Sequence, residues 1–384
     1  HDRRTSDERI YPNAEWVWKI EKDPEVLKKS LNNDWKNIEY ITLSHEMLKQ
    51  IKDRNFILLK NALDNSDEVI DFSTPSTSYR DIKTYSSSNG DWMSIYKVVS
   101  ADKIMLTSSW NFFKKTYIHS YGQVIDPDSG ITTSADQANA MLRAVWTADQ
   151  AAFDGLWAWT KDHFQHRGDD TLLSRSWKGN KLLTSDTDAA ADQDIALALL
   201  LAHKTWGNAS YKKEGLQIIQ DIWEKEIQKI GGNYMLVSGS GSNASPRTDA
   251  LSPATYKIFA QFDTTHPWEQ VADDSYAVLE TGKEVTPLYA SCFSTNTRLA
   301  LDAVWYTDQR AGDILSNTTL SSASAKDKTA VLSITDRTQA DRLYAEQFEK
   351  TFNFDQGYWK NKHVFELQNC AWVTTIIYKN ILPT

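Results

Sequence analysis

Asp186, Asp188, Asp192 and Asp194 form the densest acidic cluster of the chain. Carboxylates at that spacing can hold a cation, cap a helix or meet the hydroxyls of a sugar. A calcium loop needs a glycine at its central turn and a closing bidentate glutamate, and neither is present. Helix capping, favoured by the positive end of the helix dipole, and a polar sugar-contacting rim are the two readings left. His163 and His166 have an i, i+3 spacing compatible with a metal, but no third ligand is evident nearby, so they read as a surface pair. The glycines of Gly239-Ser-Gly241 follow a strand-like run, yet Ser245-Pro246-Arg247 stands where a phosphate-binding loop would open its helix. Arg167-Gly168-Asp169 reads as a helix-ending loop. No cofactor and no metal are expected.

The 15 tryptophans and 16 tyrosines are many for a core alone, and flat rings beside hydrogen-bonding groups suit the apolar faces of sugars. Trp146, Trp157, Trp177, Tyr256 and Trp305 are the candidate platforms. Each can also be read as helix packing, and Trp177 is the one outside a helical stripe. With 42 Lys+Arg against 51 Asp+Glu the formal charge is −9, and no basic run offers a track for nucleic acid. The longest apolar run, Ile195–Ala202, is far short of the roughly 20 residues of a membrane span. No signal peptide is read at the start, where a mature secreted protein would look the same. Two cysteines, Cys292 and Cys370, allow one bridge or two buried thiols.

Residues 1–105 alternate polar stretches with short apolar pieces and read as an N-terminal extension of unclear fold, with helices expected at Asp23–Leu31 and Ser44–Lys52. From there the period is helical. Trp110, Phe113 and Tyr117 share one stripe, and Ser134 is the expected cap of a helix carrying Ala138, Met141, Leu142 and Val145. A capping-box pattern opens a third helix at Thr147–Phe164. Further helices are expected at Asp192–Trp206, Ser210–Ile227, Ser252–Phe262, Trp268–Leu279, Thr297–Tyr306, Thr338–Phe352 and Val364–Lys379. Strands are expected at Asn233–Val237 and around Gly357-Tyr-Trp-Lys. The expected class is all-α, a toroid of alternating inner and outer helices with short strands in its loops.

Several runs carry a resemblance, in order along the chain: Val124-Ile-Asp-Pro-Asp-Ser-Gly through Ser134-Ala-Asp-Gln-Ala-Asn-Ala-Met-Leu-Arg-Ala-Val-Trp146, Phe153-Asp-Gly-Leu-Trp-Ala-Trp-Thr, Asp192-Gln-Asp-Ile-Ala through Gly207, Leu251-Ser-Pro-Ala-Thr-Tyr, and Arg298-Leu-Ala-Leu-Asp-Ala-Val-Trp305. Together they resemble glycoside hydrolase family 8 over about residues 106–310. The resemblance implies an (α/α)6 barrel over 106–384 and a cleft for β-1,4-linked glucan, xylan, chitosan or a related exopolysaccharide. It also implies hydrolysis with inversion, which requires one carboxylic acid and one carboxylate held far enough apart to admit water.

The carboxylates are where this chain departs from that pattern. Ser134 and Gln137 match the family's Ser-Glu-Gly-Gln motif, but the proton-donor position holds Ala135 and the next holds Asp136. The position of a sugar-contacting aspartate holds Ala190, and the frequent base position holds Ser291. Asp136 is the candidate substitute acid, although successive side chains on a helix are turned by about 100°. Gln137, Arg143, Asp192 and Arg298 are the expected polar sugar contacts. The reading that follows is a carbohydrate-active protein with a polysaccharide cleft, inactive as a hydrolase in this form. The alternatives are an active or engineered-inactive endo-acting inverting glycosidase, and an assembly protein that self-associates through residues 1–105. Secretion or a cell-surface location is the expectation the family brings.

Overall fold

The computed structural model describes residues 40–44, 66–71, 93–98, 101–238, 245–281, 292–320, 323–354, 356–360 and 363–381. The chain divides into two compact units, His1–Ile104 and Met105–Thr384. In the first, strands β1 (Tyr40–Ser44), β2 (Ser66–Asp71) and β3 (Met93–Val98) form an antiparallel sheet with β3 central. The helix expected at 23–31 and all of the one expected at 44–52 beyond Ser44, which ends β1, lie outside the described residues.

The second unit is a double ring of helices. The inner helices are α2 (Ser134–Trp146), α4 (Ala189–Trp206), α6 (Pro253–Phe262), α8 (Thr295–Tyr306), α10 (Ala325–Thr335) and α12 (Phe365–Lys379). Each packs against the next, and α12 returns to α2 to close the circle. The outer helices are α1 (Ala101–Tyr117), α3 (Gln150–Phe164), α5 (Ala209–Lys225), α7 (Trp268–Leu279), α9 (Gln309–Ser316) and α11 (Arg337–Tyr344). Helices α3, α5, α7, α9 and α11 each fold back on the inner helix before them through a short turn. α1 fills the seam, where Phe113 and Tyr117 meet Phe365 of α12 and Arg143 of α2 reaches Ser109. All six inner helices therefore run the same way, and their N-termini share one end with the longer connections.

Side-chain caps set most of these starts. Asp188 accepts from Ala190 N, Asn208 from Ser210 N, Ser294 from Thr297 N and Asp308 from Arg310 N. Three expected starts are corrected. Thr133, not Ser134, caps α2, because its hydroxyl reaches Asp136 N while Ser134 is already the first buried helical residue. α3 begins at Gln150 behind an Asp149 cap, not at Thr147. Asp188 likewise starts α4 three residues before the expected Asp192. The helix expected to run to Phe352 ends its α-helical part at Tyr344, and Phe352–Asn353 pairs instead with Tyr358–Trp359. Helices α9 and α10 were not expected, nor was the hairpin of β4 (Ser174–Lys178) and β5 (Lys181–Thr187). Strands β6 (Ile227–Ile230) and β7 (Asn233–Ser238) form a second hairpin, with β7 as expected.

The ring's interior holds several charges. Arg298 of α8 donates from Nη1 and Nη2 to the two carboxylate oxygens of Asp194 on α4, both at 2.7 Å, and from Nε to the Phe293 carbonyl. Asp192, fully buried on α4, accepts from Leu173 N at 2.8 Å. Its carboxyl also faces that of Glu226, which follows α5 and accepts from Thr187 Oγ1 at 2.8 Å. Burial, then the neighbouring acid's charge, holds Asp192 well above the carboxylate range, and burial pushes Glu226 up to about 8. Two facing buried carboxyls cannot both ionise, so they share a proton. A bridge between Cys292, just before α8, and Cys370 of α12 spans 78 residues.

Two stability outcomes follow from these pairings. Arg298→Met strands a buried Asp194 charge and is expected to cost about 3–5 kcal/mol in urea denaturation, much of it recovered by adding Asp194→Leu. Equal losses in the single and double variants would refute the pairing argument. Because the acid pair binds its proton more tightly in the folded than the unfolded chain, its contribution to stability is fully present below the ordinary carboxylate range and declines as pH rises toward 8. The slope is about 1.4 kcal/mol per pH unit for one proton. Glu226→Gln should flatten that decline in denaturation series at pH 5 to 8, and an unchanged slope would assign it to other groups.

Candidate active site

The end of the ring where the inner N-termini gather is where a cleft can be built, because the longer connections of the chain collect there. Ala135 is the second residue of α2, and Ala190 is the second residue of α4. The two positions at which the resemblance implies carboxylates thus occupy equivalent places on neighbouring inner helices. Ala135 is half-buried and Ala190 nearly buried, and each offers a methyl group where a helix N-terminus would stabilise an anion. Ser291, at the base position, lies outside the described residues.

Asp136 follows on the first turn of α2. Its Oδ2 accepts from Thr133 Oγ1 at 2.6 Å and its Oδ1 from Asn369 Nδ2 of α12 at 2.8 Å. Burial pushes its carboxyl up to about 6 against the pull of those hydrogen bonds, with the charge of Asp126 adding to the rise. Asn139, one turn further along α2, donates to the Asn369 carbonyl at 2.7 Å and approaches Cys292 Sγ at 3.2 Å. The disulfide and the asparagine pair therefore fix the side of the mouth on which Asp136 sits.

On the other side stands an ion cluster that the sequence reading missed. Arg247 donates to Asp188 Oδ1 at 3.0 Å and, through Nε and Nη2, to both oxygens of Asp249 at 2.8 and 3.0 Å. All three residues are buried. The flanking acids hold the guanidinium's proton even more firmly than usual, despite burial. The Asp188 carboxylate that caps α4 is thus also an ion-pair partner, and Asp186 lies exposed near Arg175. The signal available was the two-residue spacing of Arg247 and Asp249, which carries no chemistry until β7 brings it to α4.

Most of the expected sugar contacts belong to the interior. Gln137 is fully buried, accepting from Val124 N and donating to Gly122 O and Thr160 Oγ1. Arg143 is buried over the Phe113 ring and donates to Gln368 O and Ser109 Oγ, and burial lowers its guanidinium to about 9. Asp192 and Arg298 are committed as described above. Trp157 is buried between α3 and α5 with Nε1 on Glu214, and Tyr256 is buried in a stack with Trp268. Trp146 and Trp305 stack at 5.6 Å at the C-terminal ends of α2 and α8, the far end of the ring. All eight side chains take part in packing or pairing within the ring, Trp146 and Trp305 as partly buried residues against its core. Trp177 differs: it is half-buried on β4, paired in register with Thr132 at the mouth, its ring against His163 and Trp159 of α3. His163 is itself stacked on Trp159 at 4.2 Å.

Comparison with known proteins agrees with this architecture. Endoglucanase A of Acetivibrio thermocellus is 29% identical over 246 residues, covering 54% of this chain and 50% of that protein. Endoglucanase 2 of Ruminiclostridium josui is 30% identical over 196 residues, covering 46% and 41%. The chain thus spans about half the length of the curated relatives it matches. Among solved structures, Rex8A from Paenibacillus barcinonensis complexed with xylose superposes with a TM-score of 0.60 at 15% identity, over 74% of this chain and 94% of that one. A beta-1,3-1,4-glucanase from Paenibacillus sp. X4 gives 0.59 at 19% identity, over 73% and 93%. At such identities the likeness is one of fold, the (α/α)6 barrel. The pattern of the glycosyl hydrolases family 8 matches residues 87–295, more than half of the chain, and the chain belongs to that family.

Proposed function

We propose that the open end of the ring binds a β-1,4-linked glucan or related polysaccharide without hydrolysing it. The observation that carries this reading is Ala135 on the first turn of α2, where the family pattern calls for the proton donor. Inverting cleavage needs an acid on the leaving oxygen and a base on water, and a methyl group supplies neither. Ala190 removes a second polar contact at the equivalent place on α4. The endoglucanase names of the relatives support a β-linked glucan as the ligand class. The Cys292–Cys370 bridge supports an oxidising compartment, and with it secretion or the cell surface.

One observation favours a second reading, an active hydrolase whose acid is Asp136. A half-buried carboxyl pushed up to about 6 holds its proton over part of the neutral range, as a general acid must. Against it, both Asp136 oxygens already accept hydrogen bonds, from Thr133 and Asn369.

Native mass spectrometry of the chain with β-1,4-linked gluco-, xylo- and chitosan oligosaccharides separates the two. Intact bound oligosaccharide without products is the expected result, and products appearing only in Ala135→Glu would show that the remaining groups still supply a base. Products from the unaltered chain that vanish in Asp136→Asn would establish the second reading. No bound sugar of any kind would overturn the binding function.

A further inference from the structure

We propose that a second saccharide-binding groove lies on the outer flank of the ring, between the last turns of α1 and the hairpin at 352–359. The inference rests on the polysaccharide reading above and adds a site to it. The cavity there has a volume of about 540 Å³ and is lined, among the described residues, by Asn111, Phe112, Lys115, Thr116, Phe354 and Gln356, with Ser108 and Gly357 at its base. Ser108 and Thr116 stand eight positions apart on α1, which makes the groove roughly 12 Å long. It sits at the same end of the ring as the cleft, since α1 ends where the chain turns toward the start of α2, and the hairpin leads into α12.

The groove is built before any ligand arrives. Gly357 has φ +75°, and a Cβ there would lie 2.3 Å from the Ser108 carbonyl oxygen, so only glycine lets the hairpin press this closely on α1. Trp359 N donates to Gln368 Oε1 at 3.0 Å, and Gln368 Nε2 returns a bond to Trp359 O at 2.7 Å, which clamps the hairpin to α12. Phe112 lies against Tyr358 at 5.2 Å, and Phe354, 39% exposed, stands edge-on to Phe352 at 4.9 Å. Two aromatic surfaces are therefore held in place at the groove.

The chemistry around them matches a sugar better than other ligands. Phenyl faces take the axial C–H side of a pyranose, while the Asn111 and Gln356 amides and the Thr116 hydroxyl can both donate to and accept from ring hydroxyls. Among the described residues Lys115 is the only charged group in the lining, too little for a phosphate-rich ligand. A polymer engaged at the cleft and at this groove is held at two points, which raises its avidity in a way no short oligosaccharide can share.

Hydrogen exchange read by mass spectrometry, with and without millimolar cellohexaose, tests the site, alongside electrophoretic retardation in gels containing hydroxyethyl cellulose. Slowed exchange in peptides covering 108–116 and 352–359, lost in Phe354→Ala and kept in Phe354→Trp, is the expected result. Phe354→Ala and Gln356→Ala, both at exposed positions, should each weaken gel retardation about five-fold. Slowing confined to peptides with Ala135, Ala190 and Asp249 would overturn the groove and leave the cleft reading standing. Retardation unchanged in both variants would also overturn it. No slowing anywhere and no retardation would overturn both readings.

Discussion

A buried stretch of an inner helix has little access to water, so a charged side chain there is costly unless a partner within the protein answers it. α4 shows the constraint most plainly, with Ala189 through Ala202 all buried and two aspartates among them. Asp194 is answered by a guanidinium from α8, and Asp192 by a shared proton with Glu226 and the Leu173 amide. Arg143 of α2 is answered by the Gln368 carbonyl and the face of Phe113. These contacts link helices that are distant in sequence, and they fix how the inner helices are turned about their own axes. That rotation decides which residues open onto the mouth, so the site depends on pairings far below it.

The same constraint explains which parts of this chain were legible in its sequence. Helices with bulky apolar stripes, such as α1, α2 and α7, announce themselves by spacing. α10 does not, because its buried face is Thr329, Ala330 and Val331, residues equally at home elsewhere. The β4/β5 hairpin is hidden by polar residues that alternate only weakly. Among site residues the vacancies at Ala135 and Ala190 were visible because they break a pattern. For Gln137, Arg143, Asp192 and Arg298 the buried partners were not legible for a physical reason: a polar residue on an inner helix satisfies a buried partner as readily as a ligand, and sequence spacing does not distinguish the two. Arg247 was missed because its partner Asp188 is distant in sequence.

The mouth has an uneven electrostatic character. Two inner helix starts, at α2 and α4, carry alanine at their second residue, so their backbone N–H dipoles are less opposed than carboxylates there would make them. Asp136 and Asp188 lie close by, but one is engaged by Thr133 and Asn369 and the other by Arg247. A neutral ligand rich in hydroxyls is compatible with such a surface, since it brings no charge that the flanking acids would oppose. Binding and bond cleavage make different demands on the same floor: the first needs shape and hydrogen bonds, the second needs two protons moved in opposite directions.

The disulfide has a topological consequence. It joins the lead-in of α8 to α12 and so brackets α10, the inner helix with the sparsest buried face. A single backbone cut anywhere between Phe293 and Asn369 would leave two pieces still covalently linked, and the ring could stay assembled around the nick. Such a molecule would migrate as one chain until a reductant separated it, so the bridge makes this third of the barrel tolerant of proteolysis in a way the rest of the circle is not.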